Sequence, residues 1–263
     1  MESYISALVV SFGLIIGSFL NVVIYRLPLA IFKKKSVIKK LLWPSSFAPC
    51  CKKPLVWFEN IPLFSWLFLI GRCRYCKKKI SLRYPFVELL TAFVFYFTFI
   101  KMGLTYQTAL WFYFFAILIP LIWIDIDHFL LPDVLTLNLL VMGLLASFMG
   151  ILSLDFKDAC LGAVLGFLIP WSVNKLYFLW KKRDGFGGGD FKLLSGIGAW
   201  LGWAKIIPIL TLSSMLALTY TLLLLVIGKK MTLNTALPFG PFLIISSTFF
   251  VFYTHSILTG LSL

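Results

Sequence analysis

The sequence predicts an all-α polytopic membrane protein of about eight transmembrane helices, with a cytoplasmic cysteine-containing insertion between the first two. Three observations predict it. Of 263 residues, 60% are hydrophobic and 13% charged, and the mean hydropathy of +0.96 is far above that of a soluble domain. The apolar residues gather in eight runs, most of them near the roughly 20 residues a helix needs to cross a hydrocarbon core. The net charge of +14 sits in the breaks between runs. In a soluble chain it would suggest a nucleic acid, but basic loops between apolar spans reflect membrane orientation, so no nucleic-acid partner is expected.

The first run, 5–25, contains Asn21 and continues into Tyr25 and Arg26. It has no basic start and no small-residue cleavage site, so it reads as a retained span. The segment 28–84 is the one polar insertion: 13 lysines and arginines fall between Pro28 and Pro85, among them Lys33, Lys34, Lys35, Lys77, Lys78 and Lys79. It is too long for a turn and too small for a core of its own, so it needs a staple. Trp43, Trp57, Phe58, Phe64 and Trp66 are interspersed with its lysines, a mixture suited to membrane lipids at the interface. Runs at 86–101, 106–124, 134–152 and 159–180 follow. The next, 191–204, is short and glycine-rich, and only Lys205 and Pro208 part it from 206–228. A run at 239–260 closes the series.

Alternation of eight spans puts three basic loops on one side, since Lys181, Lys182, Arg183, Lys192, Lys229 and Lys230 fall in two loops level with the insertion. Only isolated lysines such as Lys101, Lys157 and Lys205 fall near the other. The positive-inside rule makes the rich side cytoplasmic and places both termini outside.

Two aspartates stand where such a chain is least able to hold free charge. Asp125 ends the third run in IDIDHFLLPD, and Asp190 opens the sixth in GFGGGDFKLL. Ionisable groups at the margin of a span mark functional sites by default, and two carboxylates that meet can share one proton and activate water. Asp127 lies about 200° round a helix from Asp125, so the two cannot face one cleft. Pro132 ends helical continuity before Asp133. Asp184, in a basic loop, reads as a solvated charge. The glycines 185 and 187–189 permit positive φ and let backbone approach a bound peptide closely; they lack the Walker lysine and hydroxyl for phosphate. The bland reading is that both aspartates are helix-end caps. His128 reads as a surface residue and His255 as structural.

Five motifs now carry a resemblance: GSFLNVVIYRLP at 17–28, ENIPLFSWLFLIGRCRYCKKKISLRYPFVELL at 59–90, IDIDHFLLPDVLTL at 124–137, GFGGGDFKLLSGIGAWLGW at 185–203 and LPFGPFL at 237–243. In this order they resemble the type IV prepilin peptidases, intramembrane aspartic proteases with a GxGD motif. The resemblance implies that Asp125 and Asp190 are the catalytic dyad, with Gly187 and Gly189 as the motif glycines. It implies a prepilin or pseudopilin substrate, cut at the cytoplasmic face of the bacterial inner membrane without a cofactor. It also implies methylation of the new N-terminus with S-adenosylmethionine, through the insertion. The implied division is a first helix at 1–27, the insertion at 28–84 and a peptidase core at 85–263. No soluble methyltransferase motif is present, and Glu59 and Asn60 are the polar candidates in the ENIP stretch.

Clustered cysteines on a reducing side favour metal over a disulfide. Cys50, Cys51, Cys73 and Cys76 could bind a structural zinc ion and tie the insertion together. The resemblance implies two CxxC pairs, which members of the family usually carry, whereas here Ala48 stands at the first position of the first pair. Cys51, Cys73 and Cys76 keep the family positions; Cys50 is the candidate substitute, although adjacent cysteines do not easily adopt the usual chelate geometry. Cys160 reads as a buried apolar residue. Two other classes compete: an ion- or proton-coupled transporter that uses the same two aspartates, and a noncatalytic scaffold for pilus assembly that docks partners through the basic insertion.

Overall fold

The computed structural model describes residues 2–33, 47–48, 50–182, 185, 187–228 and 237–260. Asp184, Trp43 and the basic residues Lys34, Lys35, Arg183, Lys229 and Lys230 lie outside the described residues, as do the side chains of Trp57 and His255. Among the described residues there are helices and two isolated β-bridges but no strand. The helices are α1 (Glu2–Phe32), α2 (Phe64–Phe68), α3 (Arg83–Met102), α4 (Tyr106–His128), α5 (Asp133–Phe148), α6 (Phe156–Lys181), α7 (Gly188–Leu201), α8 (Ile206–Val226) and α9 (Gly240–Gly260). Every one of the eight apolar runs is helical. Five helices are long and apolar enough to cross a membrane, and Asp133–Phe148 and Gly240–Thr254 are shorter apolar helices. The protein is therefore an all-α, multi-pass membrane protein.

The chain divides into two compact units, Met1–Pro120 and Leu121–Leu263. In the first, α1 lies along α3. Gly13 and Gly17 make this possible: a Cβ on Gly13 would come within 2.6 Å of the Ala92 Cα, and one on Gly17 within 2.7 Å of the Glu88 Cα. Small residues four apart let membrane helices pack backbone to backbone, where lipid offers no hydrophobic drive. The Asn21 amide donates to the Tyr84 carbonyl at 3.0 Å, and Phe95 stacks on Phe112 of α4 at 4.4 Å. The expected end of the first helix is corrected here. α1 continues past residue 25 and carries Pro28 inside its last turns, because a proline removes one helical N–H without stopping a helix that is otherwise supported. α3 belongs to the first of the two compact units.

In the second unit α7 is the centre. Ten of its 14 residues are buried, and it packs on α5 and α6. At 1.5 Å per residue it reaches about 21 Å, shorter than a hydrocarbon core, and most of it is buried within the protein. A helix buried on all sides can be apolar all round. Gly162 of α6 and Gly198 of α7 meet with no room for a side chain on either, the Ser195 hydroxyl donates to the Ala163 carbonyl at 2.8 Å, and the Trp200 indole donates to the Leu139 carbonyl at 2.8 Å. These contacts fix α7 along its length, and with it the aspartate in its first turn.

Candidate active site

Asp125 is 5% exposed on the last turn of α4 and Asp190 is 9% exposed in the first turn of α7. Both are buried in the second unit, and the charge of Asp125 acts on Asp190. Asp127 and His128 are exposed, as the angular offset on the helix requires. Pro132 stands between α4 and α5, and Asp133 beyond it pairs with Lys192 at 2.7 Å on the surface.

Each carboxylate is held by a backbone amide. The Gly240 N–H, at the start of α9, donates to the Asp125 Oδ2 at 3.0 Å. The Gly187 N–H donates to the Asp190 Oδ2 at 3.2 Å. Both amides belong to helix starts, where N–H groups lack intrahelical partners and the dipole favours negative charge. Asp190 thus caps its helix start, as the bland reading had it, and is also near enough to Asp125 to feel its charge. Leu131 closes the ring, since a Cβ on Gly189 would meet its Cβ at 2.8 Å and one on Gly240 its Cδ2 at 3.2 Å.

The motif glycines act here through their lack of bulk and not through positive φ. None of Gly185, Gly187, Gly188 and Gly189 has positive φ. What Gly189 supplies is clearance against Leu131, and Gly187 supplies the amide. A recess of about 550 Å³ beside them is lined by Trp171, Asn174, Lys175, Phe178, Gly187, Gly188 and Phe191. Gly240 was not singled out as a site residue from the sequence; its only signal was its place in LPFGPFL.

In the first unit the sulfurs of Cys50, Cys51, Cys73 and Cys76 all lie within 4.8 Å of one another. Two turns of the same build bring them there. In one, the Cys73 N–H donates to the Lys78 carbonyl and the Lys77 N–H to the Cys73 carbonyl, at 2.8 and 2.9 Å, with Lys77 at φ +59°. In the other, the Ala48 N–H donates to the Lys53 carbonyl and the Lys52 N–H to the Ala48 carbonyl, both at 2.8 Å, with Lys52 at φ +57°. An isolated bridge closes each turn, Arg72 with Lys79 and Phe47 with Pro54. Ala48 therefore occupies the position of Cys73, and Cys51 that of Cys76.

Cys50 joins the group although it falls off the repeated pattern: its sulfur is 3.0 Å from that of Cys76, and Cys51 is 3.9 Å from Cys73. The adjacency of Cys50 and Cys51 does not keep their sulfurs from one point. Tetrahedral zinc with Zn–S near 2.3 Å spaces its sulfurs by roughly 3.8 Å, so the donor set and its span fit a metal ion. Without metal, the hydrogen bond to Cys76 and burial push the Cys50 thiol up to about 12. Burial acts upward on Cys73 too, but amide donors from Cys76 and Tyr75 outweigh it and bring this thiol down to about 7. Cys160 is half-buried and apart from the group.

Comparisons with known proteins agree over almost the whole chain. Residues 11–102 match the profile described as the bacterial peptidase A24 N-terminal domain, and residues 112–222 match that of the type IV leader peptidase family. A relative from Aeromonas hydrophila is 39% identical, covering 95% of this chain and 91% of its own length. One from Legionella pneumophila is 40% identical over 94% and 91%, and one from Pseudomonas aeruginosa 40% over 89% and 85%. All three are named prepilin leader peptidase/N-methyltransferase. No solved structure matches the chain significantly. The transporter reading receives no support.

Proposed function

Because the chain belongs to the type IV leader peptidase family, we propose that Asp125 and Asp190 are the dyad with which it cuts the leader from prepilins or pseudopilins. The enzyme then N-methylates the amine it has uncovered, the second activity in its relatives' name. The observation that carries the dyad is that two buried carboxylates in a membrane protein are each held by a helix-start amide, beside glycines, Gly189 and Gly240, that both pack on Leu131.

Two carboxyl groups so placed share one proton. The ionised one takes a proton from water as the oxygen adds to the scissile carbonyl carbon, and the protonated one gives its proton to the carbonyl oxygen. Collapse of the resulting diol breaks the carbon–nitrogen bond and returns a proton to the leaving nitrogen. The Gly240 and Gly187 amides keep the carboxylates aimed throughout, and the recess beside Gly187 and Gly188 offers a place for extended substrate. The basic loops of the sequence support a cytoplasmic face of the inner membrane for this chemistry.

The cysteine cluster would hold a structural zinc ion, with Cys50, Cys51, Cys73 and Cys76 as ligands. Such an ion would supply the staple that a small insertion needs. S-adenosylmethionine would supply the methyl group.

Asp125→Asn and Asp190→Asn test the dyad. Each should abolish leader cleavage by purified protein in detergent while the helical circular dichroism and melting of the protein persist. Cleavage at the wild-type rate in either variant overturns the assignment.

A further inference from the structure

The buried charged side chains of the first unit, among its described residues, converge on one place. Arg26, Glu59 and Glu88 are each 7–8% exposed, as is Asn21, and all four line a cavity of about 160 Å³ that Trp66 and Tyr75 also wall. They come from α1, the turn Trp57–Asn60 and α3, segments far apart in the chain. Burying charges together in a membrane protein is costly without a functional return.

Most of these groups are satisfied by the protein. The Leu63 N–H donates to the Glu88 Oε2 at 2.8 Å, and the Asn21 amide donates to Tyr84. The Glu59 Oε2 accepts from the Val56 N–H at 2.8 Å and from the Tyr75 hydroxyl at 3.3 Å. The Glu59 Oε1 is different. It is buried with no hydrogen-bond partner, although its twin oxygen is fixed by two donors. Buried acceptors are almost always paired, and an orphan in a cavity wall calls for a ligand donor.

We propose that this cavity is the methylation site, and that Glu59 Oε1 receives the α-ammonium of the newly cut peptide beside bound S-adenosylmethionine. This rests on the methylation assigned above. The cavity's chemistry suits both ligands. Arg26 matches the carboxylate of an amino-acid moiety, Glu88 matches cationic groups, and the rings of Trp66 and Tyr75 offer faces to a purine and a sulfonium. Glu59 accepts a proton from the ammonium, which frees the nitrogen lone pair. S-adenosylmethionine supplies the methyl: the carbon–nitrogen bond forms as the methyl–sulfur bond breaks, sulfur keeping the electron pair as a neutral thioether. The proton on Glu59 then passes to water.

Three measurements on the full-length enzyme in detergent test the site. With a prepilin and S-adenosylmethionine, intact mass reads cleavage and methylation in one sample. Glu59→Gln keeps the shape but not the base. It should slow methylation at least ~100-fold, leave cleavage within about twofold, and bind radiolabelled S-adenosylhomocysteine like the wild type in equilibrium dialysis. Ultraviolet crosslinking of radiolabelled S-adenosylmethionine to the wild type should mark peptides that carry the lining residues. Label confined to residues 121–263 overturns the site, and so does a Glu59→Gln enzyme that methylates at the normal rate. A wild type that cleaves but never methylates overturns the methylation reading, and the site with it.

Discussion

Gly240→Ala is a one-carbon probe of how Asp125 is held. Gly240 is not among the residues with positive φ, so alanine suits the backbone and any effect arises from the added methyl. That methyl would lie 2.8 Å from the Asp125 Oδ2, 3.3 Å from its Cγ and 3.2 Å from the Leu131 Cδ2. Ordinary contact begins near 3.4 Å, so the carboxylate must retreat by about 0.6 Å, away from the amide that now donates to it at 3.0 Å. Overpacking of this kind costs about 1–3 kcal/mol, and a weakened bond to a charged acceptor adds a part of roughly 1.5–3 kcal/mol. Displacing a catalytic group by about 1 Å can cost on the order of 100-fold in rate. The expected result is leader cleavage slowed roughly 10- to 100-fold in single turnover, with a modest fall in melting temperature. Methylation of a synthetic, already cut peptide should be unchanged. Wild-type cleavage with an unchanged melting temperature would refute the idea that the Gly240 amide positions a catalytic Asp125.

Two further outcomes follow from particular contacts. If Ala48 sits in a vacated metal-ligand position, Ala48→Cys combined with Cys50→Ser should bind one zinc per chain at least as tightly as the wild type, measured by atomic emission after dialysis against a chelator. Acidification should release the metal in both proteins, because the ligand is the thiolate and protons compete for it; zinc lost only from the double variant would contradict the equivalence of the two turns. Trp200→Phe removes the donor to the buried Leu139 carbonyl and should lower stability by about 1–3 kcal/mol, read as earlier thermal unfolding in detergent.

The positions of the helices were legible because hydrophobic length is a direct requirement of the bilayer. The inward face of Asp125 against Asp127 was legible for a similar reason, being plain helix geometry. The extension of α1 through Pro28 was not, since proline propensity is overridden by packing: Gly13 and Gly17 already lock that helix onto α3. Of the two roles the sequence suggested for the motif glycines, positive φ is not seen at 185 and 187–189, while the lack of a side chain at 189 gives clearance against Leu131 and Gly187 offers its amide to Asp190. Local sequence gives the range of φ a residue permits, but not what stands opposite it. Gly240, 115 residues from its partner Asp125, shows the same limit. So does Cys50, whose adjacency to Cys51 argued against a place in the cluster, yet whose sulfur lies 3.0 Å from that of Cys76, 26 residues away in the chain.

The two proposed activities draw on separate side chains, Asp125 and Asp190 at residues above 120 and the Glu59 cavity below it. They are nevertheless ordered, because methylation needs an amine that only cleavage exposes. Order and separateness together predict an asymmetric pattern that neither predicts alone. Asp125→Asn should yield no methylated product from intact prepilin, yet methylate a pre-cut peptide at the wild-type rate. Glu59→Gln should cut intact prepilin normally and methylate neither substrate. An enzyme with one shared catalytic centre would, in each variant, lose cleavage and methylation of the intact prepilin and methylation of the pre-cut peptide, and mass analysis of the four combinations separates the two arrangements. If Asp125→Asn fails on the pre-cut peptide while remaining folded, the two sites are not independent, and the dyad has a role in methyl transfer that its distance in the chain from Glu59 does not suggest.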